Sequence, residues 1–98
     1  MKEYMINISF PNDWTEEFIQ LIPLQRAHIN KLFNTGKLLS YSLAADRSKL
    51  WVVMLAFNEN ELLNVISQFP LINYMELDYV ELMFHNTSAN MFPPLIYN

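Results

Sequence analysis

Apolar residues follow two different spacings along the chain, and the changes between them mark the predicted elements. The first stretch repeats every second residue, as a half-buried strand does, with Tyr4, Ile6 and Ile8 on one face. Between about residues 14 and 35 the apolar residues recur at helical spacing, which predicts the first helix.

Four residues bear on where this first helix starts, bends and ends. Asp13 followed by Glu16 resembles a capping box at its start. Pro23 lies inside the helical run and predicts either a kink or a helix that properly starts near residue 22. Gly36, the chain's only glycine, stands where a helix end needs a positive φ angle.

The remaining pattern predicts a hairpin, a second helix and a last strand. Strands at 38–45 and 50–57 flank the turn at 46–48. Asn58 is the expected N-cap of a helix at 59–67, Pro70 ends that segment, and 74–85 forms the fourth strand. The order is β-α-β-β-α-β, which predicts an α+β, ferredoxin-like domain with a four-stranded antiparallel sheet over residues 1–85.

The strand predicted at 50–57 is apolar on both faces, which points to a second subunit. Two helices cover only one face of such a sheet, and a strand that is apolar on both sides must be covered on both sides. The 98 residues are 52% hydrophobic and only 16% charged. We therefore expect a homodimer, with a barrel between the two sheets, and higher assembly stays open. Residues 86–98 are expected to pack on the partner subunit as a C-terminal tail, with a disordered tail as the alternative.

Charge and composition exclude several classes of function. The net charge is −4, and the six basic residues form no run, so nucleic-acid binding is not expected. There is no cysteine, and a single glycine cannot build a phosphate loop. No signal peptide is apparent, and the longest apolar run, Leu50–Phe57, is too short to span a bilayer. We expect a cytoplasmic protein without membrane contact and without a cofactor.

Acidic residues inside the last predicted strand are candidates for chemistry. Glu76 and Asp78 share one face of a strand that is otherwise apolar, and a charge there needs water, a partner or a chemical role. If that face meets the helices, Glu76 is a candidate general base with a raised pKa. If the two acids lie at a solvated end of the strand, they have no chemical role.

Both histidines are further candidates. His28 and Gln25 lie in the stripe of the first helix that should face the sheet, so His28 could act as acid or base there. The alternative is a half-exposed histidine that is hydrogen-bonded locally. His85 ends the fourth predicted strand and is either the acid or a locally bonded residue. No acidic residue lies at a metal-ligand spacing from either histidine, so no metal site is expected.

Tyr41 and Trp51 are candidate contacts for a substrate. They lie on the second and third predicted strands and could line one pocket, with Tyr41 donating a hydrogen bond to a developing oxyanion. Aromatic residues at strand spacing also serve simply as core, and that alternative stays open.

The run Pro-Leu-x-x-Tyr-Met-Glu at 70–76 resembles the muconolactone isomerase family, and the resemblance extends from about Gln25 to Ser88. It includes Gly36, Lys37 and His85. Members of that family are small ferredoxin-like proteins that pair into a barrel. They shift a double bond within a carboxymethyl butenolide during aromatic catabolism. Such chemistry needs a base, an acid, an oxyanion donor and a basic side chain for the carboxylate.

The resemblance carries over three of the candidates, Glu76, Tyr74 and His85, as positions. In an isomerase of this chain, Glu76 would be the base, His28 or His85 the acid, and Tyr41 the oxyanion donor, with Gln25, Trp51 and Tyr74 as substrate contacts. The family's acid on the first helix corresponds to Gln25, which cannot act as a base.

Three functions are consistent with the sequence. The first is a cofactor-free isomerase that moves a proton in a small lactone or related apolar molecule. The second is a non-catalytic small-ligand-binding or structural oligomer of the same fold. The third is a cofactor-free monooxygenase-like protein, which would be favoured if Trp51, Tyr41 and Phe84 pointed into one cavity.

Overall fold

A computed structural model describes residues 1–87 of the chain. Four strands and two helices follow one another, with a short 3-10 turn before the last strand. Their bounds are β1 (Lys2–Ser9), α1 (Glu16–Asn34), β2 (Leu38–Leu43), β3 (Lys49–Ala56), α2 (Glu59–Ile66), the 3-10 turn (Ile72–Tyr74) and β4 (Glu76–Leu82). The predicted β-α-β-β-α-β order is confirmed.

The sheet is antiparallel throughout, with the strand order β2-β3-β1-β4. This is the ferredoxin-like arrangement that the sequence predicts. Alternate residues of the two central strands face the helices and form the core with residues of α1 and α2; the core includes Tyr4, Ile6, Ile8, Ile29, Leu50, Val52, Met54, Leu62 and Ile66.

Helix α1 starts later than the capping pattern predicts and runs on through Pro23. Its N-cap is Thr15, whose side chain accepts a hydrogen bond from the Phe18 amide at 3.2 Å, so the prediction of Asp13 as cap is wrong. The helix is continuous from Glu16 to Asn34, and its proline is exposed. The tertiary packing of α1 therefore outweighs the local cost of one interior proline.

The end of α1 follows the prediction made from Gly36. That glycine has a φ angle of 78°. Its amide donates to the Phe33 carbonyl, and the Lys37 amide donates to the Leu32 carbonyl, both at 3.0 Å. This pair of bonds is a Schellman motif, which turns the chain sharply from α1 into β2.

Strand β4 is shorter than predicted because the 3-10 turn takes up the residues before it. Amide-to-carbonyl bonds from Tyr74 to Leu71 at 2.9 Å and from Met75 to Ile72 at 3.1 Å hold this turn. Tyr74 is therefore a turn residue and not a strand residue, and His85 lies beyond the end of the strand at Leu82. Both corrections change what these residues can contact.

The face of the sheet that the helices do not cover, here called the open face, is of mixed polarity. Trp51 and Val80 lie on it and are 41% and 58% exposed, whereas Val53 is buried. The tail predicted at 86–98 lies outside the described residues from position 88 onward, so its packing stays a prediction. No helix among residues 1–87 is long and apolar enough to cross a membrane. The cytoplasmic location stays a prediction.

Candidate functional site

A cavity of about 330 Å³ lies between the first half of α1 and the β2–β3 hairpin. We call it the hairpin cavity. Its volume is at the lower end of the range for small-molecule sites in proteins. The residues that line it are Phe10, Trp14, Phe18, Ile22, Gln25, Arg26, Tyr41, Leu43, Arg47, Leu50 and Leu71.

Three aromatic rings form one wall of the hairpin cavity. The rings of Trp14 and Phe18 lie 4.4 Å apart and are tilted by 31°. Phe10 meets both rings edge-on, at 6.2 Å from Trp14 and 5.6 Å from Phe18. Such edge-to-face contacts are favourable between aromatic rings, so this wall is a packed apolar surface of a kind that suits a flat, unsaturated ligand.

The polar centre of the cavity is a hydrogen-bonded chain from Leu71 to Tyr41. Gln25 is only 3% exposed. Its Oε1 accepts a bond from the Leu71 amide at 3.1 Å, and its Nε2 donates to the Tyr41 hydroxyl at 3.3 Å. Burial raises the pKa of the Tyr41 hydroxyl, and the bond from Gln25 partly offsets that rise. At neutral pH Tyr41 is thus a neutral hydroxyl that can donate to a ligand.

Two arginines stand at the exposed rim of the cavity. The Arg47 guanidinium carbon lies 5.5 Å from the centroid of the Trp14 ring, a cation–π contact. Arg26 lines the cavity from α1. Among the described residues that line this cavity there is no aspartate, glutamate or histidine. The site therefore carries positive charge at its rim and attracts an anion.

The backbone of Arg47 is itself unusual. Its φ angle is 66°, in the left-handed region that glycine and asparagine favour. The tight turn between β2 and β3 imposes this angle, with the Arg47 amide donating to the Ala44 carbonyl at 2.9 Å. Arg47 thus combines a strained backbone with a place in the lining of the cavity.

Two of the predicted substrate contacts come together in this cavity, and two do not. Gln25 and Tyr41 line it and bond to each other. Trp51 lies on the open face, paired with Asn7 and Ser42, because its position in β3 is out of phase with the residues that face the helices. Tyr74 touches the outside of the aromatic wall, 5.1 Å from the Phe18 ring.

The predicted base does not lie in the hairpin cavity. In β4, Leu77 and Tyr79 face the helices, whereas Glu76 and Asp78 alternate with them and are exposed on the open face. The condition under which Glu76 becomes a base of a helix–sheet pocket is therefore not met. Glu76 instead borders a second, open groove of about 340 Å³, together with Tyr74.

Neither histidine reaches the hairpin cavity. His28 packs against Phe69, with ring centroids 5.6 Å apart, and its Nε2 is buried without a hydrogen-bond partner among residues 1–87. His85 is half-buried beyond β4. The monooxygenase-like hypothesis required Trp51 and Phe84 to share a cavity with Tyr41. Phe84 is 67% exposed and Trp51 lies on the other face, so that arrangement is absent from the described residues.

Sequence reasoning missed the aromatic wall and the arginine rim. Trp14 and Phe18 flank the start of α1, and Arg47 lies in the hairpin turn, so they are far apart along the chain. A tryptophan just before a helix and an arginine in a tight hairpin turn are the available signals. Only the fold brings them together.

These features define a ferredoxin-like α+β domain with a cationic, aromatic cavity between its first helix and its sheet. No protein-family model matches the chain, and no curated protein matches it by sequence. Among solved structures, the crystal structure of muconolactone isomerase at 3.3 Å resolution is similar, with a TM-score of 0.71 and 19% identity. The match covers 89% of this chain and 94% of that one. The chain therefore has the muconolactone isomerase fold.

Proposed function

We propose that the protein binds a small, unsaturated organic anion in the hairpin cavity. The observation that carries this proposal is the combination of a packed aromatic wall, a neutral Tyr41 hydroxyl and two arginines, with no acidic residue among the described residues that line the cavity. Aromatic rings match the flat body of such a ligand, and guanidinium groups match its carboxylate.

The activity we propose for this site is isomerisation of a small lactone. The fold is that of muconolactone isomerase, and Tyr41 is suited to stabilise an enolate oxygen. A proton shift also needs a base. Glu76 remains the proposed base, and His28 or His85 the proposed acid, but each would have to act from outside the hairpin cavity.

A second candidate is binding without turnover. It is favoured by one observation, namely that no carboxylate or imidazole is among the described residues lining the hairpin cavity. A cavity with an oriented donor and cations, but with no proton acceptor, retains a ligand without a means of moving its proton.

Turnover and binding can be tested on the same samples. Muconolactone isomerisation is followed by ultraviolet absorbance, and binding by quenching of Trp14 fluorescence in a Trp51→Phe background, where Trp14 is the sole tryptophan. The variants are Tyr41→Phe and Glu76→Gln. Turnover that is lost in both variants supports the isomerase. Turnover that survives in Glu76→Gln removes Glu76 as base. Binding without turnover supports the second candidate, and no binding of muconolactone refutes the lactone ligand.

We also propose that two copies pair through their open faces. Trp51 on β3 and Val80 on β4 expose apolar surface on the two sides of β1, and Val53, Met5 and Val80 lie in one apolar row across the three strands. A second sheet would remove this surface from water, at about 25 cal/mol for each Å² buried. A two-fold axis makes the same patch serve both copies.

The oligomeric state tests this pairing. Val80→Glu places a charge within the proposed interface and should produce monomers in light-scattering chromatography. Leu24→Glu is the matched control, because Leu24 on α1 is equally exposed, at 58%, but lies on the helix layer. A wild-type monomer, or a dimer that Val80→Glu leaves intact, would refute this interface.

A further inference from the structure

The side chain of Gln25 is buried and has both of its polar ends in use. The Leu71 amide opens the 3-10 turn and has no acceptor within that turn. It donates instead to Gln25 Oε1, across 46 residues of sequence. Since Pro70 has no amide hydrogen, it is the Leu71 amide that bonds the start of the 3-10 turn to α1.

This bond determines which way round the Gln25 amide lies. If the amide were flipped, its NH₂ group would face the Leu71 amide, so two donors would meet in a buried place and both would lose their partners. The NH₂ group is therefore kept on the side of Tyr41, 3.3 Å from the hydroxyl oxygen.

The consequence concerns the proton of Tyr41. The Tyr41 oxygen accepts the bond from Gln25, so the hydroxyl hydrogen takes no part in that bond and can be donated to another group. Tyr41 lines the hairpin cavity, and in the described part of the chain no group accepts a hydrogen bond from its hydroxyl, since Gln25 is the donor in the bond that joins the two side chains. The hydrogen is thus available to a ligand in the cavity.

We propose that Gln25 is a positioning residue that turns the Tyr41 hydroxyl hydrogen into the hairpin cavity, so that the cavity selects ligands with a carbonyl or enolate oxygen at this point. This inference rests on the proposed function and states which ligand group the hairpin cavity selects. The rise in the Tyr41 pKa on burial acts in the same sense, since it keeps the hydroxyl protonated.

Selectivity is measured with two benzoates of nearly equal shape. The probes are 4-acetylbenzoate, which has a carbonyl oxygen, and 4-isopropylbenzoate, which has a methyl group in its place. Both share the carboxylate for the arginine rim. One neutral hydrogen bond corresponds to a preference of about 2- to 10-fold for the acetyl compound in the wild-type protein. Tyr41→Phe should abolish the preference, because it removes the hydrogen bond that only the acetyl compound can accept.

Gln25→Glu tests the positioning role itself. The introduced carboxylate can still accept from the Leu71 amide, but it offers Tyr41 an acceptor and draws the hydroxyl hydrogen away from the cavity. The preference for the acetyl compound should therefore disappear. Gln20→Glu is the matched control, since it changes the charge equally at an exposed position of the same helix and should keep the preference.

Titration of Tyr41 gives a measurement that needs no ligand. The ¹³Cζ resonance of Tyr41, assigned with Tyr41→Phe, should titrate at higher pH in both Gln25→Glu and Gln25→Leu than in the wild type, because each loses the donor that stabilises the phenolate. An unchanged titration, or a preference that survives Gln25→Glu, would overturn the positioning role. If neither benzoate binds the wild type, the ligand site and its selectivity are refuted, and the titration alone decides whether Gln25 orients Tyr41.

Discussion

Replacing Arg47 by glycine separates what this residue does for the ligand from what it does for the fold. The change removes a side chain from the cavity rim and a Cβ from a backbone with a φ angle of 66°. We expect the free energy of unfolding to stay nearly constant, whereas the affinity for an aromatic carboxylate falls.

The stability estimate has three parts. A residue other than glycine in the left-handed region costs about 1–2 kcal/mol, which the glycine relieves. The cation–π contact with Trp14 is lost, at about 0.5–1 kcal/mol for an exposed pair. The more flexible unfolded chain costs about 0.5–1 kcal/mol. These contributions oppose each other and leave a net change within about 1 kcal/mol.

The loss of affinity follows from the charge. An exposed guanidinium–carboxylate pair contributes up to about 1 kcal/mol to binding. Its loss should raise the dissociation constant for 4-isopropylbenzoate by roughly fivefold. The loss should shrink in about 1 M salt, where screening extends to about 3 Å. Arg47→Lys keeps the charge and should recover part of the affinity.

Urea unfolding and fluorescence titration of Trp14 measure the two effects. Lys31→Gln is the control, since it removes one positive charge from the far end of α1. An affinity that Arg47→Gly leaves unchanged at low salt would show that Arg47 does not meet the ligand. A fall in unfolding free energy of more than about 2 kcal/mol would show that the side chain mainly supports the turn.

Three further predictions concern stability. Gly36→Ala should lower the free energy of unfolding by about 1 kcal/mol through its φ angle of 78° alone, because no atom lies within 4 Å of the added Cβ. His28→Leu should raise the free energy of unfolding by about 1 kcal/mol in a urea titration. The substitution removes a buried nitrogen that has no partner in the described chain, and leucine can keep an apolar contact with Phe69. A lower free energy of unfolding would contradict this prediction. The pKa of Tyr41 is raised in the folded state. The stability that this tyrosine contributes is therefore complete below about pH 10, the ordinary pKa of tyrosine, and is lost as the pH rises further. Alkaline unfolding should therefore be less steep in Tyr41→Phe, and equal steepness would refute the linkage.

The fold could be predicted from the sequence because its signals are local. Asn58 caps α2 as expected, accepting from the Glu61 amide at 2.9 Å, and Gly36 takes the predicted backbone angle. The start of α1 was not predictable in the same way. Asp13 and Thr15 are both good caps, and only the packing of Trp14 and Phe18 against Phe10 decides between them.

The candidate site was only half predictable for a related reason. Gln25 stood out as a polar residue in an apolar stripe, and Tyr41 as a hydroxyl on a strand. The side of the sheet on which Glu76 lies depends on the phase of β4, which the apolar residues Leu77 and Tyr79 set by facing the core. The arginine rim could not be predicted, because Arg47 lies in the β2–β3 turn and the residue that it contacts, Trp14, is far away in the sequence.

An amide at position 25, where the resemblance expects a carboxylate, bears on the chemistry that we propose for the hairpin cavity. The resemblance assigns an acid to the position of Gln25. An amide has nearly the same shape, can accept from the Leu71 amide, and also donates to Tyr41. A carboxylate there would be a buried charge in need of a partner, and it would be a base. The amide of Gln25 carries neither the charge nor the basicity of a carboxylate, and its donation to Tyr41 leaves the hydroxyl hydrogen to point into the cavity, as we propose above. Under the function proposed here, the cavity would hold and orient a carbonyl group, and a proton would have to be transferred by a group outside the residues that line it.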